Sequence, residues 1–135
     1  MNIQKLEIKT ARNGRGSFAK SSFRRGEVVW DWSKCRTYTR AQLPVPFVRD
    51  EYLQVADNLY VGPDGEPEDA GDFINHSCNP NCEVVVTRDS ITLVAICAIG
   101  PGQEITYDYG KTMFNDPWKM KCNCGFAKCR KVIHA

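Results

Sequence analysis

A chain of 135 residues, 42% hydrophobic and 25% charged, has the size and make-up of one globular domain with a modest core. No apolar run reaches the roughly 18 residues of a membrane-spanning helix, and residues 1–10 lack the apolar stretch of a secretory signal. A net charge of +2 is too small to argue for nucleic-acid binding by itself.

Taken in chain order, the local patterns are mostly β. Ile3 to Ile8 alternates polar and apolar residues, as a half-buried strand does. Asn13-Gly14-Arg15-Gly16 lacks a third glycine and a following helix pattern, and a lone Gly-x-Gly is more often an ordinary turn. Val28 to Trp32, after Gly26, reads as a second strand, and short helices are candidates at Arg40 to Leu43 or Arg49 to Leu53. Acidic residues gather between Asp57 and Asp72, either as solvated surface or as a groove for a basic substrate. Leu59 to Val61 is a strand stopped by Gly62-Pro63-Asp64-Gly65. Val84 to Thr87 and Ile91 to Ile96 flank Arg88-Asp89-Ser90 as a β-hairpin. Pro101-Gly102 turns the chain before a short strand, Glu104 to Tyr107, and residues 110–121 read as a connector. Basic residues cluster at both ends, from Arg12 to Arg25 and from Lys119 to Lys131. Many short strands separated by Gly and Pro predict a mostly β domain of small sheets.

Two stretches carry chemistry rather than packing. Asn75-His76-Ser77-Cys78-Asn79-Pro80-Asn81 has almost nothing apolar to bury, which argues against a place in the core, yet a plain surface turn needs neither the histidine nor the cysteine. Seven cysteines are an odd number, and Cys122, Cys124 and Cys129 lie within eight residues. A disulfide framework fits that spacing poorly, whereas clustered thiolates fit a metal. Structural zinc takes four S or N ligands, so a fourth must come from elsewhere. Cys97 falls in an apolar strand and is expected in the core; Cys82, beside the polar motif, and His134, expected as frayed surface, are weaker ligand candidates; Cys35 is not expected to bind metal.

The Asn75–Asn81 segment, Gly102-Gln103-Glu104-Ile105-Thr106-Tyr107-Asp108-Tyr109 and Cys122-x-Cys124-x4-Cys129, in this order and together with Gly14-Arg15-Gly16, resemble the NHSCxPN, GEExxxDY and post-SET CxCxxxxC signatures of SET-domain protein lysine methyltransferases. The likeness spans nearly the whole chain. It implies a SET fold of several small sheets over residues 1–110, with the two central motifs side by side in a knot-like threading, and a zinc-bound post-SET tail over residues 111–135. Cys78 would then complete the zinc site with Cys122, Cys124 and Cys129. S-adenosylmethionine would be held by Gly14, Arg15, Gly16, Asn75, His76 and Tyr109, with Phe126, Val132 and Ile133 as an apolar lid and Trp118 behind them.

The same resemblance makes Tyr109 the tyrosine that orients the attacking amine and Tyr107 the switch position that restricts products to mono- or dimethyllysine. Tyr52 is either a second active-site tyrosine or a core residue. One departure is Asp72, which stands before Phe73 where many SET domains have arginine. Without a pre-SET cysteine cluster, the pattern is that of a minimal SET domain, of bacterial or viral type. The expected activity is transfer of a methyl group from S-adenosylmethionine to a lysine in a basic protein or peptide, a histone tail among the choices, with no direct nucleic-acid or membrane partner. The setting would be intracellular: nucleus or host chromatin for a histone substrate, cytoplasm otherwise. The competing classes are a catalytically silent SET module that binds a protein partner, and a small zinc-dependent nucleic-acid binder. The second leaves the polar motif and both tyrosines unexplained.

Overall fold

The computed structural model describes residues 5–12, 14–43, 52–62, 70–112 and 119–134. In chain order the strands are β1 (Leu6–Ala11), β2 (Gly14–Ala19), β3 (Val28–Asp31), β4 (Thr37–Tyr38), β5 (Leu53–Ala56), β6 (Leu59–Val61), β7 (Asn75–His76), β8 (Cys82–Val86), β9 (Ile91–Ala95), β10 (Thr106–Tyr107), β11 (Lys119–Lys121) and β12 (Val132–His134). They form small sheets: β1–β2, β7–β10 and β11–β12 as pairs, and β3-β9-β8 and β4-β6-β5 as triplets. None of the described helices is long and apolar enough to cross a membrane.

The β8–β9 hairpin forms where turn chemistry and alternation agree. Thr87 N–H donates to Ser90 O at 2.8 Å and their hydroxyls meet at 2.7 Å, which locks the turn. Cys82, Leu93 and Ala95 then fall on the buried face, as period-2 geometry requires. Phe23, Val29, Tyr60, Val61, Ile99 and Ile105, all nearly solvent-free, join them in one core shared by the sheets.

Three local expectations change, and the short helix expected near Arg40 is present. Gly14–Ala19 is a full strand, paired with β1 from Leu6↔Ala19 to Ala11↔Gly14, so the Gly-x-Gly begins a strand rather than closing a turn. Arg40–Gln42 is a single 3-10 turn, with the Thr39 N–H donating to Gln42 Oε1 at 2.8 Å. The alternative helix at Arg49 to Leu53 lies largely outside the described residues, and its last residue, Leu53, opens β5. Lys119–Lys121, read as the end of a connector, pairs with Val132–His134, which places His134 in a strand. Cys97 is exposed, not core: β9 ends at Ala95, and Ile96 N–H turns to Asn81 O at 2.9 Å.

Candidate active site and metal centre

The site is built on the parallel pair β7–β10, in register Thr106↔Asn75 and Tyr107↔His76. Parallel strands need a long crossover, and the β8–β9 hairpin lies within it. The polar motif is therefore brought beside the tyrosine motif, and its polar side chains satisfy backbone. Asn81 donates to Glu104 O at 2.8 Å and accepts from Thr106 N–H at 3.0 Å, standing in for a missing neighbour strand. Ser77 Oγ accepts from Asn79 N–H at 3.0 Å. His76 and Ser77 are buried, contrary to the expectation that this segment stays out of the core; its partners come from β10 and the tail, which no local reading shows.

Asn75 ties in the N-terminal glycines. Its Nδ2 donates to Arg15 O at 2.9 Å and to Glu104 Oε2 at 2.8 Å. A Cβ on Gly16 would collide with the Glu104 carboxylate and lie 2.9 Å from Asn75 Nδ2, so glycine lets these two side chains approach the backbone closely. The guanidinium of Arg15 stacks 4.6 Å from the centroid of Phe73, so a positive charge does reach Phe73, from β2 rather than from position 72.

His76 accepts the Tyr109 N–H at Nδ1, 3.0 Å away. The neutral ring then carries its proton on Nε2, which lies 3.4 Å from Cys78 Sγ. Burial lowers the His76 pKa below its ordinary value, Arg130 adds to this, and Asp108 opposes it. The Tyr109 hydroxyl donates to Ile74 O at 2.5 Å, which leaves its oxygen lone pairs as acceptors. Tyr107 packs 4.9 Å from Tyr109 and meets the edge of Trp32 at 6.2 Å. Tyr52 is buried in an edge-to-face contact with Tyr38 at 5.5 Å, beside the β4-β6-β5 sheet.

A cleft of about 680 Å³ opens over Asn75, His76 and Tyr109, with Met120–Cys124, Lys131 and Val132 as its opposite wall, a volume in the range of small-molecule sites. Phe126, half exposed, borders an adjoining hollow with Arg12 and Glu104. Of the proposed lid residues Val132 lines the cleft, Ile133 is instead buried in the core, and Trp118 lies outside the described residues. The tail is pinned over this region by Arg12 Nε, which donates to Asn123 O at 2.6 Å.

Cys78, Cys122, Cys124 and Cys129 place their four Sγ atoms within 4.8 Å of one another. Cys78 and Cys122 are 3.9 Å apart; a tetrahedron with Zn–S bonds of about 2.3 Å has edges of about 3.8 Å. Burial pushes the Cys122 thiol up to about 12. Burial acts on Cys124 in the same sense, but the backbone N–H groups of Phe126 and Cys78 and the neighbouring thiols outweigh it and hold Cys124 down to about 6. Such a set could hold one divalent ion, and an all-sulfur tetrahedron is compatible with zinc. Cys82, 1% exposed in β8, and His134 stand apart from this cluster.

Sequence reasoning gave no role to Trp32, Glu104, Asn81 or Asp108, and gave Arg130 only a share, with Lys121, Lys128 and Lys131, in offsetting the charge of the thiolates. Asp108 accepts from Arg130 Nη2 at 2.6 Å and from Gly110 N–H at 3.0 Å. The one available signal was position: Arg130 directly follows Cys129 of the cluster, and Asp108 directly precedes Tyr109.

Small sheets around a parallel β7–β10 pair, with a tail that meets the body at a four-cysteine cluster and closes a cleft over a buried His-Tyr pair, define a SET-type domain. A SET-domain family model matches residues 14–110, and the chain belongs to that family. Human histone-lysine N-methyltransferase 2B is 30% identical over 141 residues, covering 93% of this chain and 5% of that protein. The histone-lysine N-methyltransferase ash1 of Drosophila melanogaster is 43% identical over 65 residues, covering 45% of this chain and 3% of its own length. A crystal structure of KRYPTONITE in complex with mCHG DNA and SAH superimposes with a TM-score of 0.71 at 26% identity, covering 94% of this chain and 28% of that one. A second, with mCHH DNA, H3(1-15) peptide and SAH, gives 0.70 at 25% identity, covering 96% of this chain and 29% of that one. The chain thus spans a small part of each of these relatives.

Proposed function

We propose that the domain transfers a methyl group from S-adenosylmethionine to the side-chain amine of a lysine in a basic protein or peptide, with a histone tail as the leading class. The observation that carries this reading is Tyr109: its ring lines the cleft, its N–H is fixed by His76, and its hydroxyl proton is committed to Ile74 O. An oxygen so held presents only acceptor lone pairs, which suits it to orient a lysine amine. The amine must arrive neutral, having lost its proton to water, and forms its N–C bond as the methyl carbon leaves sulfur.

When bound, the donor supplies the electrophilic methyl and a positive sulfonium that favours the neutral amine. Asn75, His76, Gly14, Arg15, Gly16 and Phe126 would hold it, with Val132 at the rim. Tyr107, packed against Tyr109 and the edge of Trp32, would limit the room for added methyl groups and restrict products to mono- or dimethyllysine. Tyr52, anchored on Tyr38, would serve as a more distant wall of the lysine channel. Zinc on Cys78, Cys122, Cys124 and Cys129 would be structural, holding residues 111–135 as a tail against a catalytic body formed by residues 1–110. A histone substrate would place the protein at chromatin.

The support lies in the family membership, in the names of the relatives, and in SET structures that carry SAH and an H3 peptide. The deciding experiment is incubation with labelled S-adenosylmethionine and a panel of histones and other basic proteins, read by mass spectrometry. Label on lysine is expected. Tight binding of S-adenosylhomocysteine or of peptide without any label transfer would favour a silent binding module instead.

A further inference from the structure

Arg130 occupies an unusual piece of backbone. Val132 N–H donates to Arg130 O at 2.8 Å across Lys131, whose φ is +69°. This is a γ-turn in the left-handed sense, strained for any residue with a side chain. The reversal directs Arg130 two ways at once. Its N–H points at Cys78 Sγ, 3.4 Å away, and its guanidinium reaches Asp108 Oδ1 at 2.6 Å.

Asp108 needs that partner. Its side chain is 8% exposed, and among the described residues Arg130 is the cation it pairs with. The other group nearby, His76 Nδ1 at 3.7 Å, is an acceptor engaged by Tyr109 N–H and cannot neutralise the charge. A buried carboxylate stripped of its cation is costly and moves towards water. Asp108 cannot move alone, because it precedes Tyr109 and caps the 3-10 turn Tyr109–Lys111 through Gly110 N–H. Displacing it draws the Tyr109 backbone away from His76 and the hydroxyl away from Ile74 O.

We infer that Arg130 is a positioning residue for the transfer reaction: through Asp108 it couples the metal-binding tail to the placement of Tyr109. The inference rests on the methyl-transfer reading of the cleft. Arg130 touches neither reactant; its effect runs through the carboxylate.

The test compares wild type with Arg130→Gln, Arg130→Lys, Asp108→Asn and the Arg130→Gln/Asp108→Asn double variant, all prepared with zinc. Metal content, S-adenosylhomocysteine affinity by calorimetry, and kcat and KM on one lysine peptide are measured for each. Arg130→Gln should keep one zinc per chain, because the four thiolates and the backbone N–H at position 130 remain in place, and should lose about tenfold or more in kcat with peptide KM nearly unchanged. Arg130→Lys should recover most of that loss. With Asp108→Asn in place no buried charge is left to compensate, so adding Arg130→Gln should cost nothing further. Equal losses in both backgrounds, an unchanged kcat, or loss of zinc in Arg130→Gln would each overturn the inference. A wild type that binds cofactor and methylates, alongside a fully active Arg130→Gln, sinks this inference alone; a wild type that does neither sinks the methyl-transfer reading with it.

Discussion

Tyr109→Phe removes one oxygen whose proton is already committed to Ile74 O, so the ring and the His76 contact stay while the acceptor facing the amine goes. Cofactor affinity should hold within a few-fold and methyl transfer should fall by about two orders of magnitude or more; single-turnover rates beside calorimetric binding check both halves. Tyr107→Phe is the complementary test. The ring packs on Tyr109 and Trp32 through its faces and edges, which phenylalanine preserves, so only the polar tip of the site enlarges. Products should move towards di- and trimethyllysine with little loss in the first methylation rate, as read by mass spectra of a single-lysine peptide at high conversion. An unchanged product ladder would assign Tyr107 to packing alone. Gly16→Ala tests the close approach instead. Its Cβ lands on the Glu104 carboxylate and the Asn75 amide, so these two side chains must shift. A stability loss of about 1–3 kcal/mol with weaker cofactor binding is expected, from thermal melts and calorimetry.

At the scale of elements, what was legible depended on whether the determinants were local. The β8–β9 hairpin shows in the sequence because alternation and the Thr87–Ser90 turn are both short-range. β2 did not, because Gly14-Arg15-Gly16-Ser17 offers small residues where a strand usually shows branched ones; its pairing with β1 and the Phe18↔Glu104 bridge hold it extended. The polar motif was recognisable as a site, but its burial was not, since Asn81 and His76 find their partners in β10 and at Tyr109. Three cysteines of the cluster follow from spacing as candidate metal ligands, whereas Cys78, 44 residues from Cys122, enters only through the family pattern. Cys124→Ser tests the element these cysteines build. Loss of one thiolate from four should release zinc and unpin the tail that forms one wall of the cleft. The expected outcome is about tenfold or more weaker S-adenosylhomocysteine binding with the strand content of the body retained, followed by calorimetry and circular dichroism. Unchanged affinity in a metal-free variant would remove the tail from the cofactor site.

Across the whole molecule the seven cysteines divide into three environments, and their reactivity reports the fold. Cys35 and Cys97 are exposed and unclustered; Cys78, Cys122, Cys124 and Cys129 share the metal cluster; Cys82 is 1% exposed within the core. Burial, with a smaller contribution from Cys97, pushes the Cys82 thiol up to about 12. At pH 8 roughly one Cys82 in ten thousand is then thiolate, the reactive form, and solvent does not reach it. Zinc loading masks the four clustered sulfurs by coordination rather than by burial, so chelation exposes them without unfolding the core. Labelling with an alkylating reagent at pH 8 should therefore run in three stages: two thiols in the zinc-loaded protein, four more after a chelator is added, and the last only in denaturant. Mass spectrometry of the labelled peptides assigns each stage. Fast labelling of Cys82 in the native state would contradict the core described for the β3-β9-β8 sheet. Six fast thiols before chelation would mean that the tail does not hold metal, and among the described residues closure of the cleft would then rest on contacts such as those of Arg12, Arg130 and the buried Ile133.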